Sequence, residues 1–162
     1  MWGLAKALFN FRNMTIEDAI SQKNFRNEYQ KVSLNLVYTA NFLSDLQRKF
    51  FSGYNITVTQ YNVLRILKGQ GAEALTTAEI RCRMLDKSSD ASRIVDRLAA
   101  RSLLRKKICP GDKRLVDVSI SEKGTRLLEE IEKNIAELDE LMSKISVPEA
   151  MELNRLLDKV RN

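Results

Sequence analysis

Between Thr57 and Ser89 the sequence starts three helices and leaves only a short corner between the second and the third. Thr57-Val-Thr-Gln60 is a capping box: the threonine hydroxyl accepts one orphan backbone N–H of the first turn, while the glutamine reaches back. It opens a helix carrying Tyr61, Val63, Leu64, Ile66 and Leu67, which Gly69-Gln-Gly71 ends. Thr76-Thr-Ala-Glu79 is a second box and opens a short helix through Ile80, Met84 and Leu85. Asp86-Lys-Ser-Ser89 offers several N-caps for a third helix running to about Arg101. The spacing predicts a connection of three or four residues between the second and third helices, the length of a helix-turn-helix corner.

Beyond Ser102 the helical spacing gives way to strands. Leu103 to Cys109 and Leu115 to Ile120 flank Pro110-Gly111-Asp112-Lys113, where Pro then Gly suits a type II turn. Val116, Val118 and Ile120 alternate with Leu115, Asp117 and Ser119, the pattern of a half-buried hairpin strand. This hairpin reads as a wing beside the helices. Upstream, apolar residues at Tyr29, Val32, Leu36, Ala40, Leu43 and Phe50, with a second stripe Leu34, Tyr38, Phe42, predict one long helix with two buried faces, stopped by Gly53. Downstream, Ser121 caps a helix whose apolar positions are Leu128, Ile131, Ile135, Leu138, Met142 and Ile145, a heptad seam. Ser146-Val-Pro-Glu149 opens a last helix through Leu153, Leu157 and Val160. The expected fold is mainly α with a small β-hairpin wing: a winged helix-turn-helix core over 54–120, a lead-in and dimerisation helix over 1–53, and dimerisation helices over 121–162. The seam and the two-faced helix point to a second copy of the chain, with packing of the terminal helices inside one chain as the competing reading.

The composition excludes most catalytic machinery. There is no histidine, which removes the commonest general base and zinc ligand and every Ser-His or Cys-His pair. Six glycines are scattered singly, so no phosphate-cradling loop is present, and no metal or cofactor is expected. The chain is not expected to be an enzyme. No run of 18 apolar residues exists to span a membrane. Residues 1–13 read as a short amphipathic lead-in or an artefact rather than a secretory signal. Two cysteines, Cys82 and Cys109, in no CxxC pattern suit a cytoplasmic protein and carry no assigned sensing role.

Charge is distributed unevenly. The chain holds 27 Lys and Arg against 21 Asp and Glu, but residues 76–126 hold thirteen against seven while residues 127–162 hold five against nine. Within the basic third, Ala91, Ile94, Val95 and Leu98 form the inward stripe of the third helix, and Ser89, Arg93 and Arg97 fall on one outward face. Arginine spans the two major-groove acceptors of guanine, serine bonds bases or phosphates, and a helix N-terminus favours a phosphate. Arg105, Lys106, Lys107, Lys113 and Arg114 place further cations on the hairpin. The expected partner is duplex DNA, met by Lys87, Ser88, Ser89, Ser92, Arg93, Arg97, Lys113 and Arg114. An architectural DNA-binding protein of low sequence preference and a helical protein–protein adaptor are the alternatives.

The chain resembles the MarR-type regulators (multiple antibiotic resistance regulator) over roughly residues 25–145. The likeness rests on Thr57 to Leu67, on Leu85 to Leu98, on the wing Asp112-Lys-Arg114 and on Ser121-Glu-Lys-Gly124. It implies a homodimer joined by its terminal helices, a recognition helix in each major groove and a wing arginine, Arg114, in the minor groove, braced by Asp112. It further implies a ligand-responsive repressor with a pocket for a small aromatic effector, for which Tyr38, Phe42 and Tyr61 are candidates against a plain core-packing role. Asp90 departs from what a phosphate-facing helix start would favour: it suits the helix dipole but repels phosphate, or reads a cytosine amino group.

Overall fold

The computed structural model describes residues 14–71, 73–109, 112–140 and 142–162; the side chains of 108, 109 and 112–115 are not among those described. The reading of residues 1–13 and the Pro110-Gly111 turn therefore lie outside the described residues. The chain divides into two compact units, Met1–Phe50 and Phe51–Asn162.

In the first unit, α1 (Ile16–Ala19) starts at a capping box that Thr15 shares with Asp18. Lys31 ties the long helix α2 (Glu28–Ser52) to it through Glu17 at 2.5 Å, and this pairing holds the Glu17 carboxyl below its ordinary range. Leu46 and Phe50 of α2 are buried, and Leu34, Leu36, Tyr38 and Phe42 are half-buried. Tyr29 stays 84% exposed, with Val32 and Val37 also exposed, so a single chain covers neither apolar stripe of this helix completely.

The second unit is built on α3 (Val58–Gly69), β1 (Leu75–Thr76), α4 (Thr77–Arg83), α5 (Ala91–Ala100), β2 (Leu104–Cys109), β3 (Asp112–Ile120) and α6 (Glu122–Glu132). The capping boxes expected at Thr57 and Thr76 form: Gln60 N–H donates to Thr57 Oγ1 at 3.1 Å, and Thr76 donates its N–H and hydroxyl to Glu79 at 2.8 and 2.7 Å. Val63, Leu64, Leu67, Ile80, Val95, Leu98, Val118, Leu128 and Ile131 make a fully buried core drawn from every helix of this unit up to α6 and from β3. That is why the elements hold their places: at about 25 cal/mol per Å² of apolar surface removed from water, each such side chain contributes about 1.5–3 kcal/mol.

The wing belongs to a three-stranded antiparallel sheet of order β1-β3-β2 rather than to a hairpin alone. Leu75 pairs with Val118 and Leu104 with Ile120, and the β2–β3 register shifts between Ile108 and Cys109. β1 is two residues long, too short to leave a period in the sequence.

Two sequence expectations change. The third helix starts at Ala91, so the corner runs over residues 84–90 and is longer than a three- or four-residue turn. Met84 leaves α4 in extended conformation and is buried, whereas Leu85 is 88% exposed and lies outside the helix. The heptad seam is also not one helix. After α6 the backbone tightens onto i→i−3 bonds, Asn134 N–H to Ile131 O at 3.0 Å and Leu138 N–H to Ile135 O at 2.9 Å. Then follow α7 (Ala136–Asp139) and, after a break, α8 (Val147–Arg161). Leu128 and Ile131 are fully buried, while Ile135 and Leu138 are half-buried and Met142 is exposed. The first regular stretch ends just after its last fully buried residue, Ile131, since packing supplies most helical stability in proteins.

Candidate nucleic-acid interface

Helix α5 presents the side chains the sequence singled out. Ala91, Val95 and Leu98 are buried, Ile94 is half-buried, and Ser92, Arg93 and Arg97 are exposed on the opposite side. Two elements brace the helix. Lys106 of β2 holds Asp96 at 2.6 Å, a strut from the sheet to the exposed side of α5. At the C-terminus, Leu103 N–H donates to Leu98 O at 3.0 Å and Ser102 N–H to Ala99 O at 2.8 Å, with Ser102 at φ +59°. This is a Schellman closure with serine where glycine is usual.

The approach to α5 differs from the expectation in its cap. Asp90, not a residue of 86–89, is the N-cap: its Oδ1 accepts Arg93 N–H at 3.1 Å and its Oδ2 lies 3.1 Å from Arg93 Nε. Asp86 instead organises the loop. Its Oδ1 accepts the N–H and hydroxyl of Ser88 at 2.9 and 2.6 Å, and its Oδ2 accepts the hydroxyl of Ser89 at 2.6 Å. These bonds hold the Asp86 carboxyl below its ordinary range. Ser89 therefore sits before the helix, half-buried, and does not share the face of Arg93 and Arg97.

Lys87, Ser88, Ser89 and Ser92 come together along one concavity between α4 and the start of α5. Arg81, an exposed residue of α4, lines the same concavity and was not singled out; its place next to buried Ile80 on an amphipathic turn was the available signal. Asn62 of α3 also went unread. Its Oδ1 accepts Leu85 N–H at 3.2 Å and ties the corner to the preceding helix. The backbone of β3 places Asp112, Lys113 and Arg114 at the start of that strand, and their side chains lie outside those described.

The three pocket candidates are partly covered. Tyr38 and Phe42 are half-buried one turn apart on α2. Tyr61 is half-buried in the second unit with its ring 4.4 Å from that of Phe51, and burial pushes its phenol up. Among the described residues, no three His, Cys, Asp or Glu side chains cluster as a metal site, and no helix is long and apolar enough to cross a membrane.

The chain is similar to known proteins in sequence and in fold. Residues 54–115 match the model of the MarR family. The chain is 30% identical over 119 residues to the HTH-type transcriptional regulator MhqR of Bacillus subtilis, covering 73% of this chain and 81% of that protein. Its fold is similar to that of a mutant MarR of Escherichia coli complexed with operator DNA, with a TM-score of 0.72 at 24% identity over 85% of this chain and 99% of the other. It is also similar in fold to the organohalide-sensing regulator RdhR in the 2,4-dichlorophenol-bound form, with a TM-score of 0.76 at 19% identity over 87% of this chain and 86% of the other.

Proposed function

The chain belongs to the MarR family of DNA-binding transcriptional regulators, and from that premise we propose that it binds a pseudopalindromic operator as a homodimer and acts as a ligand-responsive repressor. The observation that carries this reading is α5: a helix anchored by three buried apolar residues that turns Ser92, Arg93 and Arg97 outward from a basic stretch of chain. Such a helix, held rigidly, suits insertion in a major groove, where Arg93 meets base edges. Lys87, Ser88 and Ser89 flank its start, and Arg97 and Lys113 neutralise phosphates. On the family resemblance, Arg114 is proposed for the minor groove, with Asp112 as its brace.

The terminal helices supply the second copy. α8 has no buried residue, and Leu153, Leu156 and Val160, which helical spacing puts on one face, are exposed, at 38%, 44% and 74%. An apolar face of this kind calls for a partner, and closed two-fold symmetry is the commonest solution. Two recognition helices related by a two-fold axis read half-sites about one helical turn apart. Tyr38, Phe42 and Tyr61 are the candidates for contact with a small aromatic effector, a reading supported by the dichlorophenol held by the fold neighbour RdhR.

Selection of preferred sites from random duplexes tests the reading. The expected product is a pseudopalindrome bound by a species of about twice 18.6 kDa in light scattering. Enrichment of no sequence with measurable binding would favour an architectural protein, and no binding to any duplex would favour a protein–protein adaptor; either result overturns the proposal.

A further inference from the structure

Two carboxylates stand at the corner that a polyanion would approach, Asp86 and Asp90, and both are engaged by neighbours. An ionised carboxylate only accepts hydrogen bonds, so Ser88 and Ser89, bound to Asp86 at 2.6 Å each, have each directed their one hydroxyl hydrogen at it. What the two serine oxygens retain is lone pairs. A phosphate oxygen is also an acceptor and finds no donor in such a hydroxyl, whereas the amino group of cytosine or adenine finds an acceptor. Asp90 acts on the third side chain. One of its oxygens fixes Arg93 through the backbone and the other holds Nε, so one edge of the guanidinium is committed. The remaining donors of its planar fork are those that span the two acceptors of guanine.

We propose that Asp86 and Asp90 are positioning residues that make this corner select base edges over backbone: Asp86 fixes Ser88 and Ser89 as acceptors for a cytosine or adenine amino group, and Asp90 aligns Arg93 on a guanine. The inference rests on the DNA-binding reading above. It runs against plain electrostatics, under which deleting either acid strengthens binding to every duplex alike. Asp86→Asn replaces one acceptor oxygen by an amide donor, so a serine is freed to donate to phosphate. Asp90→Asn keeps a helix cap, because Asn and Asp are about equal there, but removes the ion pair to the guanidinium.

The test uses the full chain with Asp86→Asn, Asp90→Asn and Ser88→Ala, each checked for helix content and melting temperature. Binding is measured by anisotropy on the selected site and on a scrambled duplex of equal length, at two salt concentrations. Both aspartate variants are expected to bind the scrambled duplex more tightly and the selected site less tightly, lowering the ratio of the two affinities about tenfold. Ser88→Ala, which changes no charge, is expected to lower affinity for the selected site several-fold more than affinity for the scrambled duplex. Equal strengthening on both duplexes, or an unchanged ratio in all three variants, would overturn the inference while leaving the DNA-binding reading intact. A wild-type chain with no preference between the duplexes would remove that reading and the inference together.

Discussion

Helices α6 and α8 both start on a serine cap, yet their third helical positions differ for a reason that lies outside the helices. In α8, Glu149 reaches back to Ser146 N–H and Oγ at 2.7 Å each and closes a capping box. In α6 the same position is Gly124, whose N–H donates to Ser121 Oγ at 3.0 Å. A Cβ at Gly124 would lie 2.3 Å from Leu103 O and 2.9 Å from a carbon of Ile120. Ser121 also donates its hydroxyl to Ser102 O at 2.7 Å and its N–H to Leu103 O at 3.1 Å, so this helix start is stitched onto the segment that follows α5. α6 then buries Leu128 and Ile131 completely, while α8 buries nothing. One helix is fixed by the chain's own fold, and the other is held by local chemistry and leaves its apolar side chains exposed.

Three substitutions press on that contrast, in falling order of effect. Leu128→Ala removes a side chain with no exposed surface and should cost about 2–5 kcal/mol of unfolding free energy. A cost below about 1 kcal/mol in denaturant titration would mean that α6 is not anchored as described. Gly124→Ala is the sharper case, because the signs compete. Alanine is favoured over glycine inside a helix by about 1 kcal/mol, but the backbone oxygen of Leu103 cannot move aside as a flexible side chain would. The expected result is a net loss of about 1–3 kcal/mol; a gain in melting temperature would show that the helix start floats free of residues 102–103.

The smallest effect belongs to Glu149. The hydrogen bonds from Ser146 hold its carboxyl below the ordinary range. A carboxyl depressed in the folded state contributes stability above its unfolded pKa and loses it as pH falls through the folded value. Glu149→Gln should therefore lower the melting temperature slightly at neutral pH, with the difference from wild type vanishing in acid. A difference that persists unchanged at low pH would assign the effect to helix propensity instead of to the box.

The same contrast separates what was legible in the sequence from what was not. The boxes at Thr57, Thr76 and Ser146 are local chemistry over four residues, and the structure forms all three. The box at Thr15 escaped because aspartate, Asp18, stands where glutamate or glutamine is usual. β1 escaped because its two residues are defined only by pairing with Val118 and Asp117 far along the chain. The seam from Leu128 to Ile145 reads as one helix because its spacing continues past the point where burial ends. At the candidate interface, Arg93 and Arg97 were legible from the inward stripe of α5. The cap was not, because four neighbouring polar residues compete for it and only the structure shows Asp86 already engaged by Ser88 and Ser89. The motif Ser121-Glu-Lys-Gly124 was visible as a pattern, but its glycine acquires a reason only from Leu103 O.

The central claim, that α5 reads the sequence of a duplex, is tested most directly by anisotropy titration of wild type, Arg93→Ala and Arg114→Ala on the selected site and a scrambled duplex across several salt concentrations. Arg93→Ala is predicted to lose about 1–3 kcal/mol on the selected site and to relax the base preference there. Arg114→Ala is predicted to weaken both duplexes evenly and to flatten the salt slope by about one unit per lost phosphate contact. Unchanged affinity and an unchanged salt slope in both variants would contradict the claim.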